Sequence, residues 1–367
     1  MWNIIQEEAT REQYIFNFIL VNIIFIISFL NRNKPKTNVL TWGLLVLFVI
    51  YAFWDTDYFS MEYIFYYDLG RDFRDPLYYF ISLVSFNSYT IFRLIVWGSA
   101  LFMFYKTIKK FNLTPNYSSF VFAIFFLLTF SYGRVSLGMS LYFYGVSCLL
   151  MRKDNSLWTL LKGAIFVLCS YWGHRSMIVP ILFTPLILFK LNKKTVALLA
   201  TVACAFFILI PILLVRFANE NFDMGEDLSA VQDAAESFSA LTDVQEEYNW
   251  KFQLVTILRN YSFYLLLLYL IWLSVFSKYK NNISLVAKRL ITLCCGICLL
   301  ALAFFSVSGT GSNILGYRYL YMLGIPLCLL MSYVVERGYC KHKTAILLLA
   351  PAFIYTEGFL IGKILSF

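Results

Sequence analysis

The chain has 367 residues, 60% of them hydrophobic and only 14% charged, with a mean hydropathy of +0.70. That balance excludes a soluble globular protein, and the recurrence of apolar runs near the ~20 residues that cross a hydrocarbon core excludes the short alternating segments of a β-barrel. The net charge of +9 belongs to cytoplasmic loops under the positive-inside rule rather than to a nucleic-acid surface.

The expected fold is all-α: one integral membrane domain over residues 1–367, a polytopic helical bundle of about twelve spans. In chain order the predicted spans are 14–30, 39–54, 89–105, 117–133, 135–151, 157–173, 176–190, 195–215, 252–277, 285–305, 317–335 and 344–361. The first has no basic stretch before it and no small-residue cleavage site, so it reads as retained. A further apolar piece, Pro76 to Phe86, is too short to cross and reads as a re-entrant or interfacial helix with Pro76 in its first turn.

The connections alternate in character. One set carries lysine: Arg32/Lys34/Lys36, Lys106/Lys109/Lys110, Arg152/Lys153, Lys190/Lys193/Lys194, Lys278/Lys280/Lys288/Arg289 and Arg337/Lys341/Lys343. Of the 21 acidic residues, only Asp154 and Glu336 fall on that side. The lysine-rich side is therefore predicted to be cytoplasmic, with both termini outside. Arginine breaks the pattern, because Arg11, Arg71, Arg74, Arg93, Arg134, Arg175, Arg216, Arg259 and Arg318 all fall on the outer side. Each could pair with an outer carboxylate, a role lysine would fill equally well. Arginine in particular adds a planar fork of donors that grips phosphate and keeps its charge when desolvated.

Three outer loops and one turn hold the candidate chemistry. Residues 55–75, DTDYFSMEYIFYYDLGRDFRD, set carboxylates among aromatics: either an interfacial belt, or bases beside ring faces that could stack on sugars. Residues 216–251 carry nine acids and a stripe of Leu228, Val231, Ala235, Phe238, Leu241, Val244 and Tyr248, an amphipathic helix that reads as a lid or as a passive interfacial helix. Residues 306–318, SVSGTGSNILGYR, form a glycine-rich loop whose N–H groups could face an anion, with Arg318 heading the next helix. Ser170-Tyr171-Trp172-Gly173-His174-Arg175-Ser176 holds one of only two histidines beside an arginine between apolar runs: either a functional site, since ionisable groups are costly at such a boundary, or an interfacial turn whose arginine anchors to lipid headgroups. Cys294, Cys295 and Cys298 have metal-like spacing but lie in an apolar helix without partner ligands, so they read as buried packing residues, and no disulfide or metal is expected. No P-loop, HExxH or GxSxG is present.

Taken together, Asp55-x-Asp57-Tyr58, Asp75-Pro76-Leu77-Tyr78-Tyr79 leading to Asn87-Ser88-Tyr89, Tyr132-Gly133-Arg134, Gly173-His174-Arg175-Ser176 and Gly316-Tyr317-Arg318-Tyr319 resemble the EpsG/Wzy-type polysaccharide polymerases of bacterial inner membranes. That family has an aromatic residue before the histidine of its His-x-Ser pattern, where this chain has Gly173. The resemblance implies a GT-C-like helical glycosyltransferase that joins undecaprenyl-pyrophosphate-linked repeat units into O-antigen or exopolysaccharide on the periplasmic face. It also implies a flippase and a chain-length regulator of the same pathway as partners, without a cofactor.

On this reading Arg134, Arg175 and Arg318, with Arg93, Arg71 and Arg259 behind them, hold the pyrophosphate leaving group without a metal. His174, Asp57 and Asp55 are the candidate catalytic residues, and either His174 or Asp57 takes the acceptor proton. Asp68, Tyr58, Tyr78 and Trp172 are the candidate glycan contacts. The rivals are an O-antigen ligase, a flippase or transporter of lipid-linked sugars, and a membrane acyltransferase.

Overall fold

The computed structural model describes residues 10–31, 43, 46, 47, 50, 76–86, 88–130, 133–151, 156–202, 205, 250–306 and 310–366. Within these, the backbone alone is described at 115–116, 125–130, 133–134, 250–259, 304–306 and 310–315. Among the described residues the regular structure is all helical, joined by turns, with no strand. The spans expected at 39–54 and 195–215 fall mostly outside them, as does the lid stripe of 216–251. Among the described residues, five apolar helical stretches are long enough to cross a membrane: Arg11–Leu30, Tyr89–Lys110, Leu285–Ala303, Gly316–Glu336 (with a one-residue turn at Leu323) and His342–Leu365. Four shorter apolar helices accompany them, and together they make the chain a multi-pass membrane protein.

The helices fall into two units, Met1–Thr184 with Gly324–Phe367, and Pro185–Leu323. The first contains α1 (Arg11–Leu30), α2 (Pro76–Val84), α3 (Tyr89–Lys110), α4 (Pro115–Phe130), α5 (Gly133–Leu150), α6 (Leu157–Gly173) and α7 (Ile178–Phe183). The second contains α8 (Trp250–Val275), α9 (Leu285–Ser306) and α10 (Thr310–Met322). The chain then returns to the first unit as α11 (Gly324–Glu336) and α12 (His342–Leu365).

Local signals set many of these boundaries. A capping box starts α1: Thr10 Oγ accepts from the Gln13 amide at 3.4 Å, and the Gln13 side chain accepts from the Thr10 amide at 2.9 Å. Ser88 caps α3, whose last turn places Lys109 and Lys110 at the negative end of the helix dipole. Pro115 opens α4 where its missing N–H costs nothing. The Thr114 amide just before it donates to Glu336 Oε1 at 2.6 Å, so an acid predicted to be cytoplasmic caps a helix N-terminus.

In the first unit α4 is the shared surface for α1, α11 and α12. Phe25 of α1 meets Phe120 of α4 at 5.1 Å and Phe353 of α12 at 4.8 Å between ring centroids. Polar ties run inside the same group: Ser118 donates to Ser332 at 3.0 Å and Thr356 to the Ile124 carbonyl at 3.3 Å, both buried. Asn22 of α1 donates to both oxygens of Glu357, at 3.3 and 3.2 Å. Glu357, assigned to the outer face from sequence, thus lies within α12, about 12 Å short of its end at 1.5 Å per residue.

The second half of the first unit rests on a different contact. A Cβ added to Gly145 of α5 would stand 2.7 Å from the Val167 amide nitrogen and 2.8 Å from the Gly163 carbonyl oxygen of α6. One added to Gly173 would stand 3.0 Å from the Cα of Gly138. The antiparallel pair α5 and α6 therefore touch backbone to backbone at two levels, the small-residue packing that membranes use where apolar burial gives no net drive.

Two predicted spans are broken. The single helix expected at 176–190 is instead a 3-10 turn (Arg175–Met177), α7 and a second 3-10 turn (Thr184–Leu188), because Pro180 and Pro185 each lack an N–H. The span expected at 317–335 is divided at Leu323, whose amide bonds the Leu320 carbonyl at 3.0 Å; Pro326 has no N–H to continue the ladder to Met322. In the second unit α9 packs against both neighbours, and Cys294, Cys295 and Cys298 are buried along it.

Gly145→Ala should force α5 and α6 apart and destabilise the protein by about 1–3 kcal/mol. Gly358→Ala, where a Cβ meets nothing within 4 Å, should be neutral or mildly stabilising. Thermal unfolding of the two variants in detergent checks this; equal melting temperatures would remove the glycine contact as a determinant of the fold.

Candidate functional site

The lower of the two glycine contacts sets the position of His174. Beside Gly173, a Cβ built on Gly138 would lie 3.2 Å from the Ser170 carbonyl, 3.0 Å from Met177 Cγ and 3.5 Å from His174 Cβ. No side chain separates the start of the imidazole from the α5 backbone. His174 is both the C-cap of α6 and the N-cap of the next turn, with extended backbone (φ −167°, ψ 130°). Its amide donates to the Ser170 carbonyl at 3.1 Å, and its own carbonyl accepts from the Met177 amide at 2.9 Å. Its Nδ1 accepts from the Ser176 amide at 3.1 Å and lies 2.7 Å from Ser176 Oγ. The ring thus occupies the place of a capping oxygen.

The broken helix after it is held by α5. Pro185 cannot donate to the Ile181 carbonyl, so the Thr184 amide bonds that carbonyl instead. This leaves the Pro180 carbonyl without an intrahelical amide. Tyr142 Oη, on a fully buried ring, donates to it at 2.8 Å, and Thr184 Oγ does so at 3.1 Å. An apolar surrounding requires such replacement donors for a freed carbonyl.

Short connections alternate the direction of α3, α4, α5 and α6, so the start of α3, the start of α5 and the end of α6 lie at one end of the unit. Several predicted residues gather there. Arg93, in the second turn of α3, is only 4% exposed; its Nη1 donates to Tyr89 Oη at 2.9 Å and its guanidinium lies 5.9 Å from that ring's centroid. Tyr78 of α2 packs against Phe92 of α3 at 5.8 Å. Arg175 is half-buried in the 3-10 turn. Residue 134 stands one turn before Gly138, at the positive end of the α5 dipole; only its backbone is described. Trp172 is 55% exposed, next to an exposed Tyr171.

Other predicted residues are placed elsewhere. Asp55, Asp57, Tyr58, Asp68 and Arg71 lie outside the described residues. Arg259 and Arg318 belong to the second unit, Arg259 by backbone in α8 and Arg318 in α10. The glycine loop expected around Arg318 is helical from Thr310, because the run Asn313 to Met322 contains only one glycine and no proline. Gly316 is therefore inside the helix, and Arg318 sits past its second turn rather than at its head. Arg318 is half-buried, and its Nε has no hydrogen-bond partner among the described residues.

Sequence reasoning missed Ser176 as a partner of His174, Tyr142 as the clasp on Pro180, and the two glycine contacts. Only the glycines left a signal, a recurrence of Gly138, Gly145, Gly163 and Gly173 in neighbouring apolar runs. No family model, curated protein or solved structure matches the chain.

Tyr142→Phe should cost about 1 kcal/mol by removing one of two donors to a buried carbonyl, and adding Thr184→Val should cost more than the two single changes summed. A double-mutant cycle on thermal unfolding in detergent checks this; strict additivity would mean the two hydroxyls do not share the Pro180 carbonyl.

Proposed function

We propose that this protein is a membrane glycosyltransferase that polymerises undecaprenyl-pyrophosphate-linked oligosaccharide repeat units at the outer face of a bacterial inner membrane, with both termini on that face. The observation that carries this reading is the gathering of His174, Arg175, buried Arg93 and the α5 amino terminus at one end of the first unit. Lys106, Lys109 and Lys110 lie at the opposite end of α3. Arginine presents a planar fork of donors that grips phosphate and keeps its charge when desolvated, which suits an anionic substrate that enters from the membrane. A lipid pyrophosphate has this chemistry: a long apolar tail, and a headgroup that gains negative charge as its bond to the sugar breaks.

In the proposed reaction, a hydroxyl of the incoming lipid-linked repeat attacks the anomeric carbon of the growing chain. The bond to pyrophosphate breaks and its electron pair leaves with the phosphate. Arg175 and Arg134, with Arg93 behind them, stabilise that charge in the role a metal ion fills in many transferases. Arg71, Arg259 and Arg318 keep their proposed phosphate-binding role from sequence, and Asp68, Tyr58, Tyr78 and Trp172 their role toward the glycan. The acceptor proton passes to a base within about 3 Å, for which Asp57, Asp55 and His174 are the candidates. Supply of the repeat unit and control of chain length fall to a flippase and a regulator of the same pathway.

The test is reconstitution in lipid vesicles with the host's undecaprenyl-pyrophosphate repeat unit and a chelator, with the glycan resolved by gel. A ladder spaced by one repeat is expected. A single capped product would favour ligation, and transbilayer movement of unchanged substrate would favour a flippase. Arg175→Lys should lower the rate by roughly 10²-fold or more, because lysine cannot make the bidentate contact. Near-wild-type ladders from that variant would sink the anion-clamp role of Arg175.

A further inference from the structure

We infer that the lysine-bearing end of the second unit binds an acidic phospholipid, with its phosphate among Lys190, Lys193 and Lys288 and its acyl chains along Leu188, Phe189 and Phe276. The site is separate from the one proposed for glycosyl transfer and does not rest on that reading. Two stretches far apart in the chain meet here. Lys193 Nζ stands 6.0 Å from the centroid of the Phe276 ring, and Phe276 directly follows α8. Four residues further on, the Lys280 carbonyl accepts a hydrogen bond from Lys288 Nζ, which ties the start of α9 to the same turn. Lys190 lies within electrostatic reach of Lys288. The turn itself is closed by hydrogen bonds, with the Asn282 amide donating to the Tyr279 carbonyl at 2.8 Å and Ser277 Oγ to the Leu273 carbonyl at 2.6 Å. Folded backbone therefore brings the lysines together.

Their places in the helices sharpen the charge. Lys278 and Lys280 follow the carboxyl end of α8, and Lys109 and Lys110 close α3; a helix dipole favours cations at both places. Lys193 and Lys194 instead open the helical stretch 193–202, and Lys288 and Arg289 lie within the first two turns of α9, where the dipole disfavours them. The caps of these two helices are neutral: Asn192 Oδ1 accepts from the Thr195 amide at 2.9 Å, and Ser284 Oγ from the Ala287 amide at 3.2 Å. No acidic residue occurs at 155–219 or 248–335, so no carboxylate balances these cations among the described residues of the second unit. The first unit shows the alternative, since Glu336 there accepts from the amide just before α4.

An anion supplies the missing charge, and the apolar neighbours define what carries it. Leu188, Phe189 and Phe276 are 69%, 54% and 57% exposed and adjoin these lysines. A small phosphate ester would leave them uncovered. A phospholipid lays its chains on them and sets its phosphodiester among the ammonium groups, whose aliphatic stems run along the same apolar surface. A net negative headgroup is required, because a zwitterionic one returns a positive charge to the cluster.

The test is thermal unfolding of the full chain in nanodiscs of phosphatidylcholine, with and without added phosphatidylglycerol. A ligand that binds only the folded protein raises its melting temperature, and a rise of about 3 °C or more with phosphatidylglycerol is expected. Lys190→Gln with Lys193→Gln should remove most of that rise. Lys341→Gln with Lys343→Gln, an equal change of charge in the first unit, should leave it in place. No rise in the unaltered protein, or equal loss in the two double variants, would overturn the site.

Two further readouts separate binding from folding and lipid from free phosphate. In phosphatidylcholine alone, Lys190→Gln should melt at or above the unaltered protein, because it relieves repulsion with Lys288. A lower value would mean that Lys190 serves the fold itself, and would defeat the inference. Glycerol phosphate, the headgroup chemistry without acyl chains, should give no rise in phosphatidylcholine nanodiscs. A rise equal to that with phosphatidylglycerol would assign the lysines to a soluble phosphate and overturn the lipid.

Discussion

The direct backbone contact of α5 with α6 underlies everything described at the His174 end. In lipid, two apolar helices gain little by hiding side chains from tails that are equally apolar. What holds them is close van der Waals approach, and that requires glycine at the crossing. Gly145 against Gly163 and Gly138 against Gly173 supply it at two levels, and two contacts along antiparallel helices fix rotation as well as separation. His174 follows Gly173 directly, so the placement of its Cβ is set by backbone rather than by a flexible side chain.

The second constraint is that a chain at membrane depth must satisfy each backbone group it frees. Two prolines within six residues break the helix after His174, and the Pro180 carbonyl is left to be bonded elsewhere. The repairs come from hydroxyls: Thr184 from within the segment and Tyr142 from α5. The helix that positions His174 from one side therefore holds the irregular segment from the other. Irregular backbone of this kind is tolerated in membranes where protein surrounds it, which is also where substrates are bound.

Polar groups elsewhere in the first unit follow the same logic. Asn22 with Glu357, Ser118 with Ser332 and Thr356 with the Ile124 carbonyl tie helices whose meeting faces are otherwise apolar. Arg93 differs in kind, because a guanidinium only 4% exposed keeps a charge in the bundle and shares it with the hydroxyl and ring of Tyr89.

Composition and pattern alone determined that the chain is helical and membrane-embedded, and they located most helices within a few residues, because apolar run length is a direct record of hydrocarbon thickness. They also singled out His174, Arg175 and Arg93, since charged residues at the boundary of apolar runs stand out against that background. Position along a chain says nothing about which helices touch, so the sequence could not reveal that Gly138 faces Gly173 or that Tyr142 reaches the Pro180 carbonyl. It read residues 306–318 as a loop with Arg318 at a helix head, where the chain is already helical from Thr310, because glycine content is a weaker guide than helix continuity. Only the tertiary structure decided how the histidine is held: the Nδ1 contacts to Ser176 depend on an extended residue between two helices, a geometry set by the packing of α5 on α6 and by the prolines that follow.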